Sequence, residues 1–399
     1  MKIGMVLDNT FPPDSRVENE AVSLLAAGHE VFLFCLKRRD DKPEEVINGI
    51  EVRRFETNSL EYKLSALAYT VPFYHNLMEP KIRRFIKTVK PDILHVHDIA
   101  VARAAFQAAE KYKLPVVLDL HENRPVIMKE YVHLKKWPGK WLISPSVWDR
   151  YQEKYCRMAD RLIVVTDEAA EDLSHAYQIQ SDKFTVVPNT VSPELYMQYK
   201  IDDALVQKFR NGYNILYMGD TGLRRGTDTV IKAMPAVLHD IPEARLILVG
   251  SNTEDVQLKA LVRQFDIAEH VTFEGWQDVS LFPSYVAASQ VCVSPLKRNR
   301  HHDTTFANKI FQYMAGGKPL VVSDCPPQKR VVEESRCGLV HKADDPAGLA
   351  DCIIRLYKNP KLASDMGKHA KDEVMTTWNW EVTSRAMLKM YSALAANSS

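Results

Sequence analysis

A chain of 399 residues is too long for one ordinary hydrophobic core, so two domains are expected. With 46% hydrophobic and 26% charged residues, the composition is that of a globular protein and not of a disordered or low-complexity one. The 52 basic and 51 acidic side chains leave a formal charge of +1, which argues against a surface that coats nucleic acid, though not against a local basic patch.

The six cysteines are scattered without a C-x-x-C pair, and Cys35 sits in an apolar run, so a reducing compartment and no metal cluster are expected. The opening Met1-Lys2-Ile3-Gly4-Met5-Val6-Leu7 reaches Asp8 too soon for a signal-peptide core. Nowhere do the roughly 18 uncharged apolar residues of a membrane span run together. A cytoplasmic protein is expected, either free or in peripheral contact with the inner face of the membrane.

In chain order, residues 2–7 form an apolar β-branched run, 17–27 have helical spacing that stops at Gly28-His29, and 31–36 form a second buried strand. Strand patterns recur at 93–97, 116–120 and 162–165, with helical patterns at 102–112 and 168–177. The same grammar restarts with strands at 214–218, 245–249, 271–273, 291–294 and 320–323, and helices at 227–238, 253–265, 307–315 and 347–357. Continuous apolar strands alternating with helices indicate parallel sheets covered on both faces. The Pro/Asn/Ser break Val187-Pro188-Asn189-Thr190-Val191-Ser192-Pro193 suits a hinge. The expected division is 1–190, 191–376, and a C-terminal helix in 377–399 that packs back on the first domain or caps the second sheet. Two such doubly wound α/β domains facing each other make a cleft at the carboxyl ends of their strands, where these folds bind ligands.

Two segments carry candidate chemistry. In the loop running from Gly219 through Asp220, Thr221, Gly222, Leu223 and Arg224 to Arg225-Gly226, small residues allow close approach to a ligand, a helix follows, and Arg225 can fork two hydrogen bonds onto a diphosphate. A solvated turn is the alternative. In Asp303-Thr304-Thr305-Phe306-Ala307-Asn308-Lys309-Ile310-Phe311-Gln312, a polar cap runs into a helix that ends at Gly316-Gly317. Thr304 or Thr305 suits the N-cap, and the free amides near Thr305 and Phe306 would then face the same anion as Arg225. Lys309 and Gln312 share one helical face, and Lys309 near a helix start is electrostatically unfavourable unless an anion is close.

The chain resembles the retaining glycosyltransferases of family 4, which have the GT-B fold of two facing Rossmann-like domains with an interdomain cleft. The resemblance covers essentially the whole length. It is carried by Lys2-Ile3-Gly4-Met5-Val6 and Gly28-His29-Glu30-Val31, by Asp92-Ile93-Leu94-His95-Val96-His97-Asp98, and by Val186-Val187-Pro188-Asn189. The Gly219–Gly226 loop, Phe273-Glu274-Gly275 and Tyr313-Met314-Ala315-Gly316-Gly317-Lys318-Pro319 complete it. It implies transfer of a sugar from a UDP- or GDP-sugar to a glycan or lipid-linked acceptor, with retention, in cell-surface polysaccharide or glycoconjugate synthesis. It also implies that no metal or other cofactor is needed, that the second domain binds the donor, and that Arg225 grips the diphosphate. A paired-glutamate motif normally contacts the donor sugar and the ribose; its two positions fall on Thr304 and Gln312. Asp303 is the candidate substitute for the first acid.

In the first domain, His121 lies just past a strand end, where the resemblance implies contact with the donor sugar, and Glu122 follows it. His97 and Asp98, which end the preceding strand, and Glu122 line the acceptor side. His95 is expected on the opposite face from His97, as buried structure. Arg16 either contacts a phosphate or anionic acceptor or pairs with Glu20, four residues on. The catalytic set is therefore His121, Arg225 and Lys309. His301-His302 reads as a polar loop and not as a metal site. The stretch Lys135-Lys136-Trp137-Pro138-Gly139-Lys140-Trp141, with Trp148 and Tyr151, suits an anionic headgroup layer, or packs its aromatics inward.

Competing functions are weaker. A dinucleotide dehydrogenase would need G-x-G-x-x-G after a strand, and neither half has it. An epimerase would need acid/base carboxylates in the cleft. A non-catalytic subunit that keeps the fold and binds a nucleotide sugar or a partner enzyme is the remaining alternative, because both motif acids are replaced.

Overall fold

The computed structural model describes residues 1–38, 40–58, 64–65, 67–70, 73–129 and 143–397. It divides into two compact units, Met1–Pro188 with Ser384–Ser399, and Asn189–Thr383.

The first unit holds an eight-stranded sheet of order β3-β4-β2-β1-β5-β6-β7-β8. The strands are β1 Lys2–Thr10, β2 Glu30–Lys37, β3 Glu44–Ile47, β4 Ile50–Glu56, β5 Ile93–His97, β6 Val116–Leu120, β7 Arg161–Val164 and β8 Phe184–Val186. Every residue of β5 and β6 is buried, as expected for central parallel strands covered on both faces. One departure from an all-parallel sheet is the β3–β4 pair, which is antiparallel. Its sequence alternates charged and apolar residues, so it lacks the continuous apolar run that marks the other strands. The available signal is its turn: Asn48-Gly49 adopts φ of 49° and 83°, the left-handed pair that a two-residue hairpin requires.

The helix Pro145–Met158 is a second element absent from the sequence-based expectations. Its Trp148 is 1% exposed and meets Tyr69 edge-on at 4.9 Å, while Tyr151 stacks on the same ring at 4.5 Å. These two aromatics therefore serve the core and not a lipid surface; residues 135–141 lie outside the described residues. The C-terminal helix Arg385–Asn397 belongs to this unit, lies against β8, and buries Tyr391 with its hydroxyl 2.8 Å from His95 Nδ1.

The second unit holds a six-stranded parallel sheet of order β11-β10-β9-β12-β13-β14. Its strands are β9 Tyr213–Met218, β10 Ala244–Val249, β11 Val271–Gly275, β12 Val291–Ser294, β13 Leu320–Ser323 and β14 Gly338–His341. Alternate residues of β9 feed opposite layers. Leu216 and Met218 join Phe311 and Met314, whereas Ile215 and Tyr217 join Val230 and Met234. The carboxyl ends of β9, β10 and β11 lie side by side, with Val249 paired to both Met218 and Gly275.

All six cysteines are free, and among the described residues no helix is long and apolar enough to cross a membrane. Trp148→Ala should cost about 3–5 kcal/mol, because it empties a buried indole site that cannot collapse fully. Urea unfolding followed by circular dichroism measures this; a loss below about 1 kcal/mol would mean the indole is not core.

Candidate active site

In the second unit the candidate donor loop leaves β9 at Gly219, whose φ of 111° takes the chain out of the sheet. Asp220 organises the rest of the loop. Its carboxylate accepts from the Gly222 amide at 3.0 Å, Asn252 Nδ2 at 2.6 Å and Arg224 at 2.8 Å, and lies 3.7 Å from Arg225 Nε. Sequence reasoning passes over Asp220, although an acid four residues before an arginine is a pairing signal. Thr221 is buried and donates its hydroxyl to Asp255, so that side chain braces the loop. Gly226, at φ 76°, closes the turn before the helix Thr227–Asp240; a Cβ there would collide with the Pro295 carbonyl.

Lys309 opens the helix Lys309–Ala315, two residues later than the expected start. Asn308 occupies the N-cap without a side-chain cap bond. The expected caps point elsewhere: Thr304 and Thr305 donate to the carbonyls of Arg300 and His301 at 2.8 and 2.7 Å. Phe306 is buried, its ring edge-on to Phe311 and Trp378. The Lys309 ammonium lies over the Tyr217 ring, 3.7 Å from its centroid, and a Cβ built on Gly219 would meet it at 3.4 Å. Its Nζ is buried and has no hydrogen-bond partner among the described residues. Burial, reinforced by Arg225, holds this lysine well below the usual range against the opposing pull of Asp220. Gln312 is half-buried one turn on.

Asp303 does not stand free to replace a motif acid: Arg298 holds both its oxygens, at 2.6 and 3.1 Å. His301 and His302 lie in a loop, as expected, and are buried there, 4% and 0% exposed. Burial and the charges of Arg225 and Arg224 keep both rings neutral, with pKa values pushed down to about 3 and about 4.

In the first unit the candidate side chains converge on a residue that sequence reasoning missed, Asp119 in β6. A carboxylate inside Val-Val-Leu-Asp-Leu must find a cation, which is the available clue. Arg16 supplies it: NH2 lies 3.0 Å from Asp119 Oδ1 and 3.0 Å from Glu20, and NH1 donates to the Val187 carbonyl at 3.1 Å. Of the two readings of Arg16, the pairing with Glu20 is the one realised, and the guanidinium is 4% exposed.

His95 and His97, two residues apart on one strand, share a face and stack at 4.4 Å, which corrects the expectation of opposite faces. His95 Nε2 lies 3.4 Å from Glu20 and 3.6 Å from Asp119. His121 Nε2 lies 3.0 Å from Asp119 Oδ2 and 3.2 Å from His97 Nδ1, and its Nδ1 lies 3.8 Å from Asp98. Burial alone would lower His121, but Asp119 and then Asp98 raise it to about 9, so it is an imidazolium at neutral pH. Burial pushes His97 down to about 3 and Asp98 up to about 6. Asp98 also holds a left-handed φ of 64°. Glu122 pairs with Arg124 at 3.1 Å.

Glu20, His95, His97 and Asp119 bring ligand-type atoms within 4.8 Å of one another. The Arg16 guanidinium already bridges the two carboxylates, so a second cation there would meet direct repulsion.

Residues 15–195 match the Glycosyltransferase Family 4 profile and residues 212–359 the profile of Glycosyl transferases group 1. The chain is 23% identical over 406 residues to a phosphatidyl-myo-inositol mannosyltransferase of Mycolicibacterium smegmatis, covering 99% of this chain and 94% of that protein. It is 24% identical to a D-inositol 3-phosphate glycosyltransferase of Nocardiopsis dassonvillei, covering 92% and 86%. Among solved structures, sucrose-phosphate synthase from Thermosynechococcus elongatus superposes with a TM-score of 0.79 at 19% identity, over 99% of each chain. The Anabaena protein HepE in complex with UDP superposes with a TM-score of 0.72 at 15% identity, over 98% and 100%.

The raised His121 pKa has a signed consequence. A histidine raised above its unfolded value of about 6.5 contributes stability that is complete below that pH and lost as pH climbs through the folded value. Carbon-detected histidine titration by NMR should place the His121 midpoint near the value of about 9. A midpoint at or below the unperturbed value would show that Asp119 does not hold it.

Proposed function

Because the chain is a family 4 glycosyltransferase with a group 1 domain in its second half, we propose that it transfers a sugar from a UDP- or GDP-sugar to a glycan or lipid-linked acceptor. The observation that carries the donor assignment is Lys309. This buried ammonium has no hydrogen-bond partner among the described residues, bears the positive charges of Arg225 and Arg224 beside it, and so has unmet demand for an anion. A nucleoside diphosphate meets it. Relatives are named for activity on phosphatidyl-myo-inositol and D-inositol 3-phosphate, and the HepE structure contains UDP; these names support the donor and acceptor classes in kind.

Arg225 and Lys309 stabilise the charge that develops on the departing diphosphate, which needs no metal ion. Arg224, Gly219 and Gly222 shape the loop around it, and Gln312 bonds the ribose hydroxyls. The acceptor belongs to the first unit, where the cationic His121 and the carboxyl of Asp98 serve the transfer. The acceptor hydroxyl attacks on the face from which the diphosphate leaves, giving retention, with a diphosphate oxygen taking its proton. No carboxylate is assigned as a nucleophile.

A non-catalytic role remains the second reading, supported by Thr304 and Gln312 at the motif positions and by the engagement of Asp303 with Arg298. Release of free nucleotide from UDP- and GDP-sugars in the presence of glycan and polyprenyl or inositol-lipid acceptors separates the two. Arg225→Ala should slow turnover by about one to two decades, as expected for loss of a hydrogen bond to a charged group of about 1.5–3 kcal/mol. Turnover by that variant at the wild-type rate would sink the phosphate assignment, and loss of turnover on treatment with EDTA would sink metal independence.

A further inference from the structure

The two motif positions carry Thr304 and Gln312, neither of them an acid. Asp303 is held by Arg298, and the Thr304 hydroxyl donates to the carbonyls of Arg300 and His301. The neighbouring imidazoles are differently placed. His301 and His302 lie 5.2 Å apart centroid to centroid, both buried, and the charges of Arg224 and Arg225 bear on both rings, that of Lys309 on His302 as well. His301 Nδ1 and His302 Nε2 are buried without a hydrogen-bond partner among the described residues.

The tautomer of His302 follows from its contacts. Its Nδ1 lies 2.8 Å from the Lys297 carbonyl, which can only accept, and 3.1 Å from Asn299 Nδ2, which can only donate; Asn299 Nδ2 has the same carbonyl within 3.5 Å as its own acceptor, and the shorter contact sets the proton on Nδ1. Asn299 Oδ1 accepts the His302 amide at 2.9 Å and fixes that loop. In a neutral ring the other nitrogen, Nε2, is then a bare acceptor in a water-poor site. An acceptor enclosed with no donor costs free energy unless a ligand supplies one.

We propose that His302 Nε2 accepts a hydroxyl of the donor sugar, with His301 Nδ1 as a second contact, taking over hydroxyl recognition from the motif position occupied by Thr304. This rests on the donor-site reading and assigns it a sugar-recognising element without charge. A neutral acceptor discriminates sugars through hydroxyl geometry and leaves the diphosphate to the cations.

The test uses the full chain and titration calorimetry with UDP, GDP, UDP-glucose, UDP-N-acetylglucosamine and GDP-mannose. His302→Asn keeps an N–H at the Nδ1 position for the Lys297 carbonyl and deletes Nε2. It should weaken the nucleotide sugar about three- to tenfold while leaving the bare diphosphate unchanged. His302→Gln, whose amide oxygen reaches the Nε2 position, should recover much of that loss. Equal weakening of diphosphate and nucleotide sugar, or no change in either, would overturn the proposal. If wild-type protein binds neither UDP nor GDP, the donor-site reading itself falls.

Discussion

A buried ammonium with no counter-ion is unstable as a cation, and Lys309 is held in that condition by the second unit's own architecture. Its stem leaves the first residue of a seven-residue helix, its head rests on the face of Tyr217, and Gly219 leaves room beside it. The ring offers some cation–π attraction, which falls short of replacing water around a full charge. Asp220 does not resolve this, because its oxygens already serve Arg224, Asn252 and the Gly222 amide. The surplus of positive charge is therefore built into the loop, and the glycines at 219 and 226 hold that loop in positive-φ backbone that other residues adopt only with strain.

The first unit solves the opposite problem. Asp119 is a fully buried acid, and here the compensation is internal: Arg16, His121 and, at longer range, His95 and His97 surround it. Breaking such a cluster by removing one partner costs more than the cluster contributes, since the others are left unpaired. The Arg16 cluster pairs its charges internally, with His121 as its partly exposed outlet, whereas Lys309 Nζ has no hydrogen-bond partner among the described residues.

The α/β alternation is legible in the sequence because central parallel strands must be apolar throughout. The runs at 93–97, 116–120, 291–294 and 320–323 coincide with observed strands. The β3–β4 hairpin escapes because its two strands, the outermost pair of the sheet, keep charged residues such as Glu44, Glu51 and Arg53, and only Asn48-Gly49 betrays it. Within the site, Arg225 and Lys309 are legible from loop composition and helix electrostatics. Asp119, Glu20 and Tyr391 are not, since their partnership joins a helix near residue 20, a strand near 119 and a helix near 391, distances that local spacing does not encode. Thr304 and Phe306 show the converse limit: their types suit a cap and a donor contact, but tertiary packing turns the hydroxyl back onto the preceding loop and the ring into the core.

The central claim is that Lys309 awaits a diphosphate. Burial lowers the Lys309 pKa and a bound anion raises it again, so nucleotide binding and protonation are linked. Titration calorimetry of UDP and GDP near neutral pH in buffers of different ionisation enthalpy reads that uptake directly. Proton uptake in the wild type, abolished in Lys309→Met, is the predicted result; binding heat independent of buffer, or the same uptake in the variant, would contradict it.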